Sequence, residues 1–295
     1  MTRMQARMLP DGRRLHLNDG PIDLIIGVDG GAGEVDRALQ AARTRFATVL
    51  DELCSELPLL RQPTGAEPRG STARRMWRAT LPLRAHGFIT PMAAVAGSVA
   101  DEMLAAMLDE AALDRAFVNN GGDIALHLAP GQSCEVGLVD RPDRPSLFAT
   151  ARLSAAGGVG GIATSGWRGR SFSLGIADAV TVLAAGGAMA DAAATLIANA
   201  VDLGPHPAVT RVPARQLQPD SDLGERPVTR GVGPLAPKEI AVALDAGVAF
   251  AQTLLGEGLI AAAALHLAGQ TRTIGRIDAG RQSEEVPALR GGDPS

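Results

Sequence analysis

The sequence predicts an α+β domain, with mixed antiparallel sheets covered by helices. Three observations carry this: β-rich runs end in Asp-Gly, Gly-Pro and Asn-Gly turns, helical periodicities recur at irregular intervals, and no strand–helix–strand alternation is sustained. Met8 to Leu17 reads as a strand folded at Asp11-Gly12, Asp19-Gly20-Pro21 as a turn, and Ile22 to Val28 as a buried strand. Asp29-Gly30-Gly31 ends the hairpin. Val35, Leu39, Ala42, Phe46 and Leu50 then recur at helical spacing, predicting a helix from Glu34 to about Leu53. Pro63, Gly65, Pro68 and Gly70 make Arg61 to Thr72 an exposed connection.

Thr90-Pro91 opens a second helix, the hydroxyl placed to cap and the proline where its missing N–H costs nothing. Met92, Val95, Val99, Met103 and Ala106 form its apolar face, and Ala93, Ala94, Ala96, Gly97 and Ser98 permit close approach of another backbone or a ligand. Strands follow at Arg115 to Val118, Ile124 to Leu128, Cys134 to Val139 and Leu147 to Leu153, then a glycine-dense stretch from Gly157 to Gly166 and a strand from Ala179 to Ala184. Ala188 to Val201 is an Ala-rich helix, whose small residues would also suit a second subunit in a homo-oligomer. A loop from Gly204 to Pro237, a helix from Lys238 to about Leu255 and a strand around Leu259 to Leu267 complete one domain over 1–279, with loops at 60–73 and 204–237 and a mobile tail at 280–295.

Composition narrows the function. A chain of 295 residues with 46% hydrophobic and 20% charged residues can enclose a site, and a net charge of −4 leaves no electrostatic footprint for nucleic acid. Aromatics are 3% with no Tyr, and Lys238 is the only lysine, so a ligand would be held by backbone, aliphatic and small polar groups. Apolar runs are cut by Gly, Asp or Arg, which predicts no membrane span. Met1 to Gly20 lacks the apolar stretch of a signal peptide. Cys54 and Cys134 form neither a disulfide framework nor a metal knuckle. A cytoplasmic protein is expected.

Three segments could carry chemistry. Asp191, Thr195 and Asn199 lie at i, i+4 and i+8 on the Ala-rich helix, forming one polar line. A carboxylate and a hydroxyl one turn apart can hold Mg2+, which takes oxygen ligands and keeps water or phosphate in its other positions. Equally, Asp191 can complement the helix dipole and Thr195 bond back to a carbonyl, with Asn199 exposed; Asp191→Ala would then leave folding largely intact. Gly157 to Gly166, with Thr164 and Ser165, could cradle phosphate or simply bend between strands. Its Gly158-Val-Gly160-Gly-Ile-Ala163 matches a dinucleotide fingerprint, but the residues after it are poor helix formers, so the match is expected to be a decoy. Asn119-Asn120-Gly121-Gly122-Asp123 is first a hairpin turn, from which Asn120 and Asp123 would project beside glycines that leave room for a ligand. His16, His86, His127, His206 and His266 show no metal-ligand spacing.

The order of these segments resembles the ApbE-like flavin transferase superfamily. Val95-Ala-Gly97-Ser-Val-Ala-Asp101 resembles its Ala-Lys-Gly helix start, and Phe117-Val-Asn-Asn-Gly121-Gly122-Asp123-Ile124 its Asn-x-Gly-Gly-Asp turn. Glu135-Val-Gly137-Leu-Val-Asp140-Arg-Pro142 resembles its Gly-Ile-x-Asp-Pro strand, Ile162-Ala-Thr164-Ser165-Gly166 its Thr-Ser-Gly element, and Ala190-Asp191-Ala-Ala-Ala-Thr195 its Ala-Asp-x-x-x-Thr element. The resemblance covers roughly Thr90 to Asn199 and implies a T-fold-like domain. It also implies that Asp191 and Thr195 bind the Mg2+ that neutralises the FAD pyrophosphate, that Asn120, Gly121, Gly122, Asp123, Thr164, Ser165 and Gly166 bind phosphate or flavin, and that FMN is moved from FAD onto a hydroxyl of an acceptor protein. Asp191 is thereby also a catalytic candidate. The chain departs from the pattern in having Ala96 for the lysine, and Ser171-Phe-Ser-Leu-Gly-Ile-Ala-Asp178 for a His-x-x-Asp-Pro-x-x-Gly block. Asp178 is the candidate replacement for the lost catalytic acid. This pattern resembles a cytosolic branch of the superfamily. The alternatives to FMN transfer or FAD pyrophosphate cleavage are a non-catalytic flavin- or nucleotide-binding accessory to a redox enzyme, or use of the same cleft for another small molecule of sulfur or cofactor metabolism.

Overall fold

The computed structural model describes residues 4–139, 147–275 and 279–280; the expected tail beyond 280 and the Asp140-Arg-Pro142 motif lie outside them. Strands β1 (Gln5–Met8), β2 (Arg14–Asp19) and β3 (Ile22–Asp29) form a meander. Asp11 shapes its first turn by accepting the N–H groups of Arg13 and Arg14 at 2.9 and 3.1 Å. Alternation buries Leu15, Leu17, Ile22, Leu24 and Ile26 on one face. Helix α1 (Ala32–Leu60) covers that face with Leu39, Ala42, Phe46, Val49 and Leu53, running about two turns beyond its predicted end, with Pro58 tolerated in the last turn.

Helix α2 (Ser71–Thr80) replaces part of the predicted connection and the unassigned stretch after it. Its buried stripe is Thr72, Ala73, Met76, Ala79 and Thr80, with Met76 the one large apolar residue among arginines, so no run of large apolar residues marks it. A 3-10 turn (Pro91–Ala94) leads into α3 (Val95–Glu110), and Thr90 Oγ1 accepts the Met92 N–H as its sequence position predicts. Strands β4 (Arg115–Asn120) and β5 (Asp123–Leu128) form a hairpin whose loop is only Gly121-Gly122, both at positive φ (65° and 116°), the conformation such tight turns demand.

Strands β6 (Ser133–Val139), β7 (Leu147–Ser154) and β14 (Ala279–Gly280) form a small separate sheet. The chain returns through β8 (Gly161–Ser165), β9 (Ala179–Ala184) and α4 (Gly187–Ala200). What the sequence reads as a loop from Gly204 contains the hairpin β10 (Val209–Pro213) and β11 (Pro227–Val232), joined through the one-turn α5 (Ala214–Leu217). Helix α6 (Pro237–Gly256) and the hairpin β12 (Ala262–Leu267) and β13 (Gln270–Gly275) follow. The main sheet has nine strands, all antiparallel to their neighbours, in the order β1-β2-β3-β4-β5-β8-β9-β12-β13. Four helices, α1, α3, α4 and α6, lie on one face and the small sheet on the other, where Leu153, Ile162, Leu183 and Ala262 pack.

Two stretches, 91–110 and 237–256, have the length and composition of membrane-crossing helices, contrary to the expectation that every apolar run is too short. Both contribute to the core instead, through Val99, Ala100, Met103 and Met107 and through Ile240, Leu244, Ala251 and Leu254. The small residues of α4 are likewise used within the chain, with Ala190, Ala192, Ala193 and Ala194 buried, so they offer no surface to a second subunit.

The closest crossing in the core is between the first turns of α3 and α4. A Cβ on Gly97 would overlap the carbonyl of Gly187, and one on Gly161 would overlap Gly186. At the crossing each helix caps the other. Asp101 of α3 accepts the N–H groups of Gly187 and Ala188 at 2.8 Å each, and Asp191 of α4 accepts the Gly97 N–H at 3.0 Å. Neither helix has a side-chain cap of its own, so these carboxylates satisfy orphan donors that would otherwise be buried. Gly97→Ala should therefore destabilise the protein by about 3 kcal/mol in urea denaturation, the upper end for overpacking against backbone. Gly33→Ala is the control: the new Cβ would meet nothing nearer than 3.9 Å, and stability should be unchanged or slightly raised.

Candidate functional site

Strand alternation places Asn120, Asp123 and Ala125 on the face that the helices cover, at the end of the sheet where α3 and α4 begin. Asn120 Nδ2 donates to the Ala96 carbonyl at 3.2 Å, tying the hairpin turn to the start of α3. Asp123 Oδ1 accepts the Thr164 N–H at 3.2 Å, tying it to the end of β8. Asp191 lies four residues into α4, and Thr195 follows one turn on, both partly accessible. The sheet end thus gathers Asn120, Gly121, Gly122 and Asp123, the Thr164-Ser165-Gly166 end of β8, and Asp191.

The electrostatics of this cluster are unusual. Burial pushes the Asp123 carboxyl up to about 7, only partly opposed by the Thr164 N–H. Asp191 is pushed well above the ordinary carboxylate range, first by burial and then by the charge of Asp123, despite the N–H groups of Gly97 and Ala96. A buried acid elsewhere in the chain shows the contrast. Burial also pushes Glu102 up, but hydrogen bonds from Ser71, Arg75 and Arg45 outweigh it and hold that carboxyl below its ordinary value. Glu102 has two guanidinium partners, at 2.8 and 2.9 Å. Among the described residues, neither Asp123 nor Asp191 is ion-paired. Two mutually repelling carboxylates without a cation form a place where a divalent cation would be strongly stabilised.

Among the described residues no three His, Cys, Asp or Glu side chains converge as a metal cage. The donors available are two carboxylates, the Thr195 hydroxyl one turn along, and backbone. That sparse all-oxygen set suits Mg2+, which retains waters and substrate phosphate, better than a tightly caged transition metal.

The other candidates divide. Thr164 Oγ1 bonds Thr181 Oγ1 at 2.9 Å on the sheet face away from the helices, so its backbone N–H, not its hydroxyl, serves Asp123. Asp178 is fully engaged: Oδ1 takes Arg168 Nε at 2.5 Å and Trp167 Nε1 at 3.2 Å, and Oδ2 takes the Ala268 N–H at 2.7 Å. The structure gives it the role of anchoring the loop after β8. Asn199 is not simply exposed; its Oδ1 accepts the Leu174 N–H at 2.8 Å and holds the next loop segment. Asp191→Ala would not be a surface change either, since Asp191 caps α3. The glycine fingerprint at Gly158 runs into strand β8 rather than a helix, which makes it the decoy expected.

A cavity of about 650 Å³ lies on the opposite face of the sheet, between β3–β5 and β6. Its floor is Ile124, Leu126, Ile162 and the ring of Phe117, which lies flat over Gly27, and its rim carries Arg13, Arg115 and Asp29. It reaches Asn119 and Ile124 at the same sheet end but contains none of the carboxylate pair. The arginines of this rim share Asp29 as a partner, and among the described residues the cavity holds no pair of neighbouring carboxylates like that of the cluster.

A UPF0280 protein of Methanothrix thermoacetophila is 40% identical over 114 residues, covering 38% of this chain and 46% of that protein. The UPF0280 protein MK0206 of Methanopyrus kandleri is 42% identical over 111 residues, covering 38% and 43%. The matched stretch thus spans less than half the length of these relatives. The crystal structure of apo flavinyl transferase ApbE from Pseudomonas stutzeri aligns over 92% of this chain and 93% of that one, at 14% identity and a TM-score of 0.43. A family model described as AbpE bacteria matches residues 6–273, nearly the whole chain from the first strand of the meander to the last of the main sheet, and the chain belongs to that family.

Proposed function

We propose that the sheet end binds a flavin nucleotide together with a divalent cation held by Asp123, Asp191 and Thr195. The single observation that carries this reading is the Asp123–Asp191 pair, partly withdrawn from water and neutralised by no cationic side chain of the described residues, beside a Gly-Gly turn open to solvent. The motif resemblance supplies the ligand class: the turn, the β8 end and the Asp-x-x-x-Thr line of the ApbE-like superfamily meet here. A bound cation would supply charge neutralisation for a pyrophosphate, the main demand of an in-line attack on phosphorus. The chain's own residues would place the ligand: Gly121 and Gly122 admit it against backbone, and Asn120 fixes the turn to α3.

On this reading the leading activity is FMN transfer from FAD to a protein hydroxyl, or FAD pyrophosphate cleavage to FMN and AMP, in the cytoplasm. One observation favours the accessory reading, a flavin-binding protein that serves a redox partner. Asp178, the acid in place of the superfamily's His-containing block, is taken up by Arg168, Trp167 and the Ala268 N–H and is not available to the ligand.

Titration with FAD, with and without Mg2+, followed by identification of the nucleotide, separates these readings. FMN or AMP appearing only with Mg2+ supports transfer or cleavage, intact bound FAD supports the accessory, and absence of binding overturns the flavin reading. Asp123→Asn and Asp191→Asn, which keep a carbonyl acceptor for the N–H partners, should each abolish the rise in Tm that Mg2+ gives the parent protein above pH 7. An undiminished rise would remove the metal site.

The metal-free protein should also show a characteristic pH dependence. The folded-state carboxyl values lie above those of the unfolded chain, so between about pH 4 and about 7 the folded state binds more protons. Stability from this pair is full below that window and falls as pH rises through it. Urea denaturation across the range should show the fall, and Asp123→Asn should shrink it.

A further inference from the structure

The loop between β8 and β9 carries two arginines with different environments. Arg168 is held by Asp178 at 2.5 Å and stacks on Trp167, 4.3 Å from the ring centroid. The loop is pinned at its base: the Trp167 N–H donates to the Ala177 carbonyl and the Gly169 N–H to the Gly166 carbonyl, both at 3.0 Å. Asp178 reaches the start of the β12–β13 turn through the Ala268 N–H. Arg170 comes next. Residue 170 is exposed, its side chain pairs with no carboxylate among the described residues, and its guanidinium stands beside Gly121 of the turn.

That placement depends on Gly121. The residue has φ +65°, and a Cβ there would come within 2.9 Å of Arg170 Nη1, so a side chain at 121 would push the guanidinium aside. Burial and the Thr164 N–H account for the Asp123 carboxyl, and Arg170 is not among the groups that move it. The guanidinium is therefore not spent on the carboxylates. It stands on the outer side of a turn whose inner side holds Asp123.

We propose that Arg170 is the anion-binding arm of this site, taking a phosphate oxygen of the ligand against the Gly121-Gly122 turn. The inference rests on the flavin-nucleotide reading for the identity of the ligand, but its chemistry is general to any phosphate or pyrophosphate group. A guanidinium presents forked donors that match phosphate geometry, and a loop pinned by Asp178 presents it with little ordering cost. This gives Asp178 an indirect purpose as a positioning residue, through the loop that carries Arg170.

Inorganic pyrophosphate with Mg2+, and FAD, FMN and riboflavin, are the probes, with Arg170→Gln and Arg170→Lys compared to the parent protein. Arg170→Gln should weaken pyrophosphate, FAD and FMN about tenfold, the scale of one charge-assisted hydrogen bond, and leave riboflavin, which has no phosphate, unchanged. Arg170→Lys should recover part of the loss. Equal affinity of Arg170→Gln and the parent for pyrophosphate overturns the proposal, and so does an equal loss for riboflavin, which would mark a structural role. If the parent binds pyrophosphate in an Arg170-dependent way but binds no flavin, the flavin reading falls and the anion arm stands. If it binds neither, both fall.

Discussion

Asp101 and Asp191 each terminate the helix that carries the other, and this exchange is possible only because Gly97 and Gly187 let the two helices touch backbone to backbone. The rest of the sheet end follows from that constraint. With α3 and α4 starting at one point, the N–H groups of both helix starts and the carboxylates that accept them are gathered near the β4–β5 turn, and Asn120 reaches Ala96 to close the gap. Gly161 and Gly160 extend the same close packing to the sheet, where side chains would collide with Gly186 and Ala185. A side chain at any of these glycines would separate elements whose contact defines the site.

The same geometry explains why the acids here differ from those elsewhere. Glu102 is adjacent in sequence to Asp101 but points toward α1 and α2, where Arg45 and Arg75 meet it. Asp101 points toward α4 and receives two N–H groups, whose partial positive charge does not fully offset burial. Asp191 has backbone donors from one helix start and a second carboxylate for a neighbour. Backbone N–H groups are thus the partners these carboxyls have among the described residues, and the cation proposed above would stabilise the fold as well as the ligand.

Much of this arrangement was legible in the sequence. The polar line on the Ala-rich helix, the Asn-Gly-Gly-Asp turn and the capped start at Thr90 were identifiable because each depends on local chemistry, a short motif or a helical period. The small residues around Gly97 announced a close backbone approach, though not its partner, since Gly187 lies ninety residues on in the chain. Helix α2 was missed because its buried stripe holds one large apolar residue, Met76, among alanines and threonines, and the β10–β11 hairpin because Pro213 and Pro227 at paired positions imitate loop chemistry. Asp178 shows what the sequence could not supply: its position suggested a catalytic acid, and the tertiary fold brings Arg168, Trp167 and the Ala268 N–H around it.

Asp178 also connects the loss of one motif to the gain of another feature. In this chain the stretch between Gly166 and Val180 contains no histidine and no proline, and instead carries Trp167, Arg168 and Arg170. An acid held by those groups fixes the loop, and the fixed loop carries a guanidinium beside Gly121. Negative charge is concentrated inside the turn and positive charge is presented outside it. A ligand bearing phosphate groups, accompanied by a cation, is complementary to both sides at once, whereas a neutral ligand would use neither. On the proposed reading this charge layout suits an anionic ligand, whatever chemistry other parts of the site perform on it.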